Sequence, residues 1–369
     1  MSGHYVSMGL SVEERLVLVR EVGEEVVGED RLVELFESGR QVIAYDGFEP
    51  SGNIHIAQGL LRAINVNKLT AAGFYFKFWV ADWFAMLNNK MGGDLEKIRV
   101  VGEYFIEVWK ACGMNMDGVE FVWTSEFVRK YPEYWETVLK LSMNTTVKRV
   151  LRCGQIMGRK ESDNNPASQV FYPLMQAADI YHLEADVAQL GMDQRKVNML
   201  ARDVFPKLGF KPPVVVSHHM LMGLSEPKVD GDVDSVDRKI EIKMSKSKPD
   251  TAIFMTDSVE DVKRKFAKAY CPARQVEDNP VLEYMKYIVF ERFDIVEVLR
   301  DKKFGGDMEF SCYGDLERSF IDGSLHPKDL KECCSRYISE LLEPVRKHFE
   351  ENVDAKRLLE KVNSFQVTR

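Results

Sequence analysis

Residues 41–59 read QVIAYDGFEPSGNIHIAQG, and the fold follows from how this stretch is parsed. The apolar run Gln41 to Tyr45 is closed by Asp46, Gly47, Pro50, Ser51 and Gly52, the pattern of a buried strand feeding a loop. A helix is expected next, because Ala57, Leu60, Leu61 and Ile64 recur at i, i+3, i+4 and i+7, and Gly73 after Ala71 and Ala72 suits the C′ position. Outward from there come an aromatic strand over Phe74 to Val80, helical patterning after Asp82 across Leu95 to Ala111, and a strand at Val119 to Trp123. Strand and helix alternating in this rhythm predict an α/β protein with a Rossmann-type, doubly wound parallel sheet covered on both faces.

The pattern turns helical after Ser125, and strands at Asp186 to Leu190 and Pro213 to Ser217 bring the sheet back after a helical insertion at about 115–165. From Gly223 to Asp250 the chain is polar, with five Asp, and a mobile loop is expected. Beyond Asp257 helical patterning dominates, over Val259 to Ala269, Leu282 to Leu299 and Pro327 to Glu350. The expected division is a catalytic domain at 1–240 and a mainly helical C-terminal domain at 241–369 that opens with a cationic loop.

The 369 residues are 45% hydrophobic and 29% charged, which excludes disorder as the dominant state. A net charge of −8 leaves no diffuse basic surface, so a nucleic-acid partner would need local patches. Residues 148–160 hold five Lys or Arg and no acid, which is either an RNA-facing ridge or a solvated helix face. No apolar run approaches the roughly 18 residues of a membrane span, and the first residues lack a signal-peptide pattern, so an intracellular, cytoplasmic protein is expected. The six cysteines form no CxxC pair and are read as reduced thiols, with no structural metal.

In a doubly wound sheet the ligand lies at the carboxyl ends of the strands, which directs attention to the loop after Tyr45. That loop contains neither of the glycine-rich phosphate motifs. Gly47 instead allows close approach of a nucleotide, and His55 sits where helix-start amides favour phosphate. Lys243-Met244-Ser245-Lys246-Ser247 offers two ammonium groups for a polyphosphate. Tyr172, Gln176 and Asp179, at i, i+4 and i+7, form one polar stripe amid Phe171, Leu174, Met175 and Ile180, and such a stripe must be hydrogen-bonded by protein or by ligand.

The His55-Ile56 start followed about 190 residues later by Lys243 to Ser247 resembles the two signatures of class I aminoacyl-tRNA synthetases. Phe171 to Asp179, with Gly191-Met192-Asp193-Gln194-Arg195-Lys196, resembles the tyrosyl-tRNA synthetases of eukaryotes and archaea, a likeness running from about Leu32 to about Leu342. The resemblance implies that Tyr45 and Asp179 bind the phenolic hydroxyl of tyrosine and that Tyr172, Gln176 and Gln194 bind its ammonium. It further implies that Gly47, His55, Gln58, Lys243, Met244, Ser245, Lys246 and Ser247 bind ATP, which brings its own Mg²⁺, with His55, Lys243 and Lys246 acting in catalysis. Arg195 and Lys196 would meet the tRNA acceptor stem, and Phe304, His326 and Asp329 the anticodon. The insertion would carry a homodimer contact. One departure is plain: where the family's pattern is H-I-G-H, this chain has His55-Ile56-Ala57-Gln58, and the amide of Gln58 cannot carry a proton's charge. Tryptophanyl-tRNA synthetase is the nearest alternative, disfavoured by a hydroxyl-binding Asp179 opposite Tyr45. An inactive RNA-binding paralogue is the other, disfavoured by the intact lysines.

Overall fold

The computed structural model describes residues 9–154, 166–227 and 235–365. The chain enters through α1 (Val12–Val22), strand β1 (Gly23–Val27) and α2 (Glu29–Glu37) before reaching β2 (Val42–Phe48). Next come α3 (Arg62–Ala71), β3 (Phe74–Val80), α4 (Asp82–Leu87), α5 (Leu95–Ala111) and β4 (Val119–Trp123). The insertion supplies α6 (Thr124–Lys130), α7 (Tyr134–Met143), α8 (Val147–Cys153) and α9 (Ser168–His182). The sheet resumes with β5 (Val187–Gly191), α10 (Arg195–Val204) and β6 (Val214–His218).

The six strands lie in the order β1-β6-β5-β2-β3-β4. All neighbours from β6 to β4 run parallel, while β1 pairs with β6 antiparallel, so the expected parallel sheet carries an antiparallel edge. That edge escaped sequence reading because Gly-Glu-Glu-Val-Val has neither a clean alternation nor an apolar run. Central strand residues such as Ala44, Phe76, Phe78, Val187 and Val216 are fully buried, as helices on both faces require. The chain winds from β2 towards β3 and β4, then crosses to β5 and β6 on the other side. The crevice between the carboxyl ends of β2 and β5 is therefore the topological switch point.

Three expectations change. The helix expected from Ala57 begins as a π-helical turn, Ala57–Leu61, and only then becomes α3. Part of the expected loop at 223–250 is the helix α11 (Ser235–Ile242). The expected helix over Leu282 to Leu299 is broken into α13 (Pro280–Tyr284), a π-helical turn at Met285–Val289 and strand β7 (Val296–Val298), which pairs antiparallel with β8 (Met308–Phe310). Val296 and Val298 are fully buried with Glu297 exposed between them, a period of two.

The remaining C-terminal elements are α12 (Val259–Lys268), α14 (Tyr313–Asp322), α15 (Pro327–Glu351) and α16 (Val353–Ser364). α15 and α16 reach back to α5, where Phe349 packs on Tyr104 with ring centroids 5.5 Å apart and His348 bonds Glu107 at 2.9 Å. All six cysteines are unpaired.

Candidate active site

A cleft of about 640 Å³ opens at the switch point, within the range of small-molecule sites. Every residue expected to hold an amino acid or a nucleotide lines it: Tyr45, Gly47, His55 and Gln58 from β2 and its loop, Tyr172, Gln176 and Asp179 from α9, Gln194 after β5, and Lys243 to Ser247. A larger cleft, about 1240 Å³, runs between α12 and α15 past His326. Several of its cations are already engaged, Lys347 with Glu343, Lys331 with the carbonyl of Ala267 and Arg346 with that of Ser339, and it is lined by none of the residues expected to hold an amino acid or a nucleotide.

At one end of the first cleft α9 presents its polar stripe. Tyr172, Gln176 and Asp179 are 9%, 4% and 0% exposed, whereas Phe171, expected to flank them in the interior, is exposed. The Tyr45 hydroxyl lies 3.5 Å from Asp179 Oδ2. Tyr134 of α7 donates to Asp179 Oδ1 at 2.6 Å. Burial pushes the Asp179 carboxyl well above the ordinary carboxylate range, and the two phenols draw it back. A carboxylate so placed is costly unless a ligand adds a donor. A second group lies nearby. The Tyr172 hydroxyl donates to Glu49 Oε1 at 2.5 Å, Asn88 Nδ2 donates to the same carboxylate at 3.2 Å, and Gln176 Nε2 donates to Gln194 Oε1 at 3.0 Å. These acceptors suit an ammonium.

The other end is cationic. His55 is 7% exposed with Nδ1 unpartnered, and the Gln58 side-chain oxygen is likewise buried without a partner. Burial, with Lys246, Lys243 and Arg62 near, holds the His55 imidazole well below its usual range. The neutral form is thereby favoured, and a neutral imidazole can still donate a hydrogen bond. Lys246 Nζ donates to the Ser51 carbonyl at 2.6 Å and stands 4.6 Å over the Phe105 ring. Its ammonium is held well below the usual range, chiefly by burial and then by Lys90, so an arriving anion would be welcomed. Lys243 pairs with Asp193 at 2.7 Å. Behind them Arg62 pairs with the fully buried Asp46 at 3.0 Å, and burial raises that carboxyl to about 6 even beside the guanidinium.

Backbone bonds tie the first signature to the segment that follows the second, and the second to the stretch after β6. Ile56 N donates to the Ile253 carbonyl at 2.9 Å, Met255 N to the Ile54 carbonyl at 2.9 Å, and Met244 N to the Leu221 carbonyl at 2.7 Å. This strapping explains Gly59: a Cβ there would stand 2.3 Å from Met255 Sδ.

The residues expected to meet RNA lie elsewhere. Arg195 is held by Glu25 at 2.6 and 2.9 Å, and the Lys196 carbonyl accepts from Cys153 Sγ at 3.5 Å. Phe304 is 62% exposed. His326 caps α15, its Nδ1 accepting from Lys328 N at 3.1 Å, and Asp329 follows in the first turn, half-buried. Of the basic stretch 148–160, Lys148, Arg149 and Arg152 lie on α8, with Arg149 paired to Asp203, and Arg159 and Lys160 fall outside the described residues. Sequence reading missed Glu49, Arg62, Tyr134 and Asp193. Only Asp193 carried a signal, its position beside Gln194 after a strand. Tyr134 carried none, for it stands 45 residues from its partner.

Comparison with known proteins agrees with this geometry. Residues 37–343 match the family model described as tRNA synthetases class I (W and Y). The chain is 50% identical over 366 residues to tyrosine–tRNA ligase 2, cytoplasmic, of Arabidopsis thaliana, covering 99% of this chain and 47% of that protein. It is 48% identical to tyrosine–tRNA ligase 1, cytoplasmic, of the same organism, covering 98% of this chain and 91% of the other. Leishmania major tyrosyl-tRNA synthetase in complex with tyrosinol superposes with a TM-score of 0.88 at 45% identity, covering 97% of this chain and 53% of that one. The chain thus spans about half the length of the first and third relatives and nearly all of the second. A match over most of the chain, with a buried carboxylate between phenols at one end of the cleft and paired lysines at the other, means that this chain belongs to the class I tRNA synthetases of the tryptophan and tyrosine family, among its tyrosine–tRNA ligases.

Proposed function

We propose that the chain joins tyrosine to ATP as tyrosyl-adenylate, releasing pyrophosphate, and then passes the tyrosyl group to the 3′ end of its tRNA. The observation that carries this reading is Asp179, a fully buried carboxylate facing the cleft with phenols as its donors and, among the described residues, no ion pair. A substrate hydroxyl adds the donor this site lacks, and phenylalanine cannot. Tyr172, Gln176 and Gln194 take the substrate ammonium in this reading, with the Glu49 carboxylate beside them supplying the opposite charge.

No protein nucleophile is needed. The substrate carboxylate attacks the α-phosphate of ATP, the bond to the β-phosphate's bridging oxygen breaks, and pyrophosphate leaves. The protein contributes alignment and neutralisation of charge on the leaving group. His55 donates to a phosphate, with Gln58 beside it. Lys246 and Lys243, the latter released from Asp193, meet the pyrophosphate charge, and Gly47 and the backbone of Met244, Ser245 and Ser247 shape the nucleotide's bed. Mg²⁺ belongs in this reading to the phosphates themselves and has no protein ligand assigned.

We assign the region 1–240 to amino-acid activation and 241–369 to the cationic loop and anticodon binding, with Phe304, His326 and Asp329 reading RNA and Arg195 and Lys196 near the acceptor stem. A homodimer through the insertion is supported by an exposed apolar stripe on α7 and beyond, Trp135, Leu139, Met143 and Val147, at four-residue spacing. Leu139→Asp should then yield monomers in analytical ultracentrifugation, and an unchanged sedimentation coefficient would remove the stripe from the contact. A cytoplasmic location is supported by the names of the two plant relatives, and no helix among the described residues is long and apolar enough to cross a membrane. The deciding experiment is exchange of labelled pyrophosphate into ATP with tyrosine, tryptophan or phenylalanine supplied singly. Tyrosine alone should support it, and equal exchange with tryptophan would reverse the assignment.

A further inference from the structure

Asp179 is gripped from two sides, and the two sides differ. Tyr45, which lines the cleft, reaches Oδ2 at 3.5 Å, the outer limit of a hydrogen bond. Tyr134 is fully buried, stands outside the cleft lining, and reaches Oδ1 at 2.6 Å, a charge-assisted length. We propose that Tyr134 is a positioning residue for hydroxyl selection: it fixes the Asp179 carboxylate through Oδ1 and so leaves Oδ2 aimed into the cleft as the acceptor of the substrate hydroxyl. The proposal rests on the tyrosine reading above and deepens it.

The Tyr134 ring is itself held. It packs against His182 with centroids 5.3 Å apart, and His182 Nε2 is bonded to Thr137 Oγ1, one turn further along α7, at 2.9 Å. The single phenolic proton has two acceptors within reach, Asp179 Oδ1 at 2.6 Å and the Met175 carbonyl at 2.9 Å, and a carboxylate oxygen is the stronger acceptor of the two. Among the described residues the groups facing the carboxylate are Tyr45 from β2 and Tyr134 from α7, with Tyr172 on its own helix. None brings a fixed positive charge, so these hydroxyls are what keeps a carboxylate tolerable there. Remove the Tyr134 hydroxyl and the carboxyl either turns from the cleft or retains a proton at higher pH. In both cases it accepts less well from the substrate.

Tyr134→Phe keeps the ring and deletes only the donor. In pyrophosphate exchange, kcat/KM for tyrosine should fall roughly ten- to a hundredfold, mostly through KM, while that for phenylalanine barely changes. The acid limb of the tyrosine profile should move to higher pH, because burial is then less opposed. On an Asp179→Asn background the same change should cost no further selectivity, since Tyr134 acts through that carboxylate. Thr137→Val, which frees His182, should give a milder shift in the same direction and serves if the phenyl variant does not fold. Equal losses for both amino acids, or an unaltered preference, would overturn the proposal while leaving the tyrosine reading intact. Wild-type protein without tyrosine-dependent exchange would instead overturn that reading itself.

Discussion

Asp179 and Gln194 sit in one cleft but should answer differently to substitution. Among the described residues the Asp179 carboxylate is bonded by two hydroxyls, so Asp179→Ala should shrink the preference for tyrosine over phenylalanine by roughly tenfold or more, the worth of one hydrogen bond to a charged group. Gln194, bonded to Gln176 at the ammonium end, is shared by both amino acids, so Gln194→Ala should weaken them together with the preference kept. Ratios of kcat/KM in pyrophosphate exchange separate the two cases, and an intact preference in Asp179→Ala would sink the pocket assignment. At this scale the polar stripe was legible because helical spacing puts Tyr172, Gln176 and Asp179 on one face. What satisfies the stripe was not legible, because Glu49 and Tyr134 arrive from other elements.

Among elements, the π-helical turn at Ala57–Leu61 and the straps that tie it to Ile253 and Met255 decide how the two signatures meet. Gly59 is where the turn touches Met255. Gly59→Ala drives a methyl into Met255 and should cost about 1–3 kcal/mol in urea unfolding. Because the clash and the Met255 side chain share one space, adding Met255→Ala should cost less than the two single losses summed. Full additivity would show that the contact does not limit the turn. The loop bearing Lys246 follows α11 and is pinned beside Leu221, so its lysine is already over the cleft. Lys246→Ala should slow adenylate formation strongly in single-turnover measurements and leave calorimetric tyrosine affinity nearly unchanged, because the pyrophosphate charge it meets develops only in the transition state. Lost tyrosine affinity with normal adenylate formation would contradict that role. The strands and long helices were legible from their periods, to within a residue or so at β3, β4 and α5. β7 was read as helix because its alternation spans three residues only, too few to separate a period of two from 3.6.

For the molecule as a whole, a net charge of −8 means that in the proposed reading RNA is held at few, local points. His326 already caps α15 through its imidazole, which frees Asp329, one of the half-buried residues of the first turn, for the role we assign it with Phe304. Asp329→Ala should reduce tRNA charging several-fold while sparing adenylate formation, and the loss should shrink when the anticodon guanine is replaced by another base. Equal losses on both tRNAs would mark Asp329 as a stabiliser of its helix instead.

By itself the sequence determined the α/β class, the order of its main elements, the family resemblance and thirteen residues that share one cleft. These rest on local periodicity and on short signatures whose side chains must converge for any chemistry to occur. The tertiary structure alone decided the antiparallel edge at β1, the packing of α15 and α16 against α5, the pairing of Lys243 with Asp193 and of Arg62 with Asp46, and the grip of Tyr134 on Asp179. Each of these joins residues far apart in the chain, and no pattern within a helical turn or a strand encodes which distant partner will be brought within 3 Å of a buried charge.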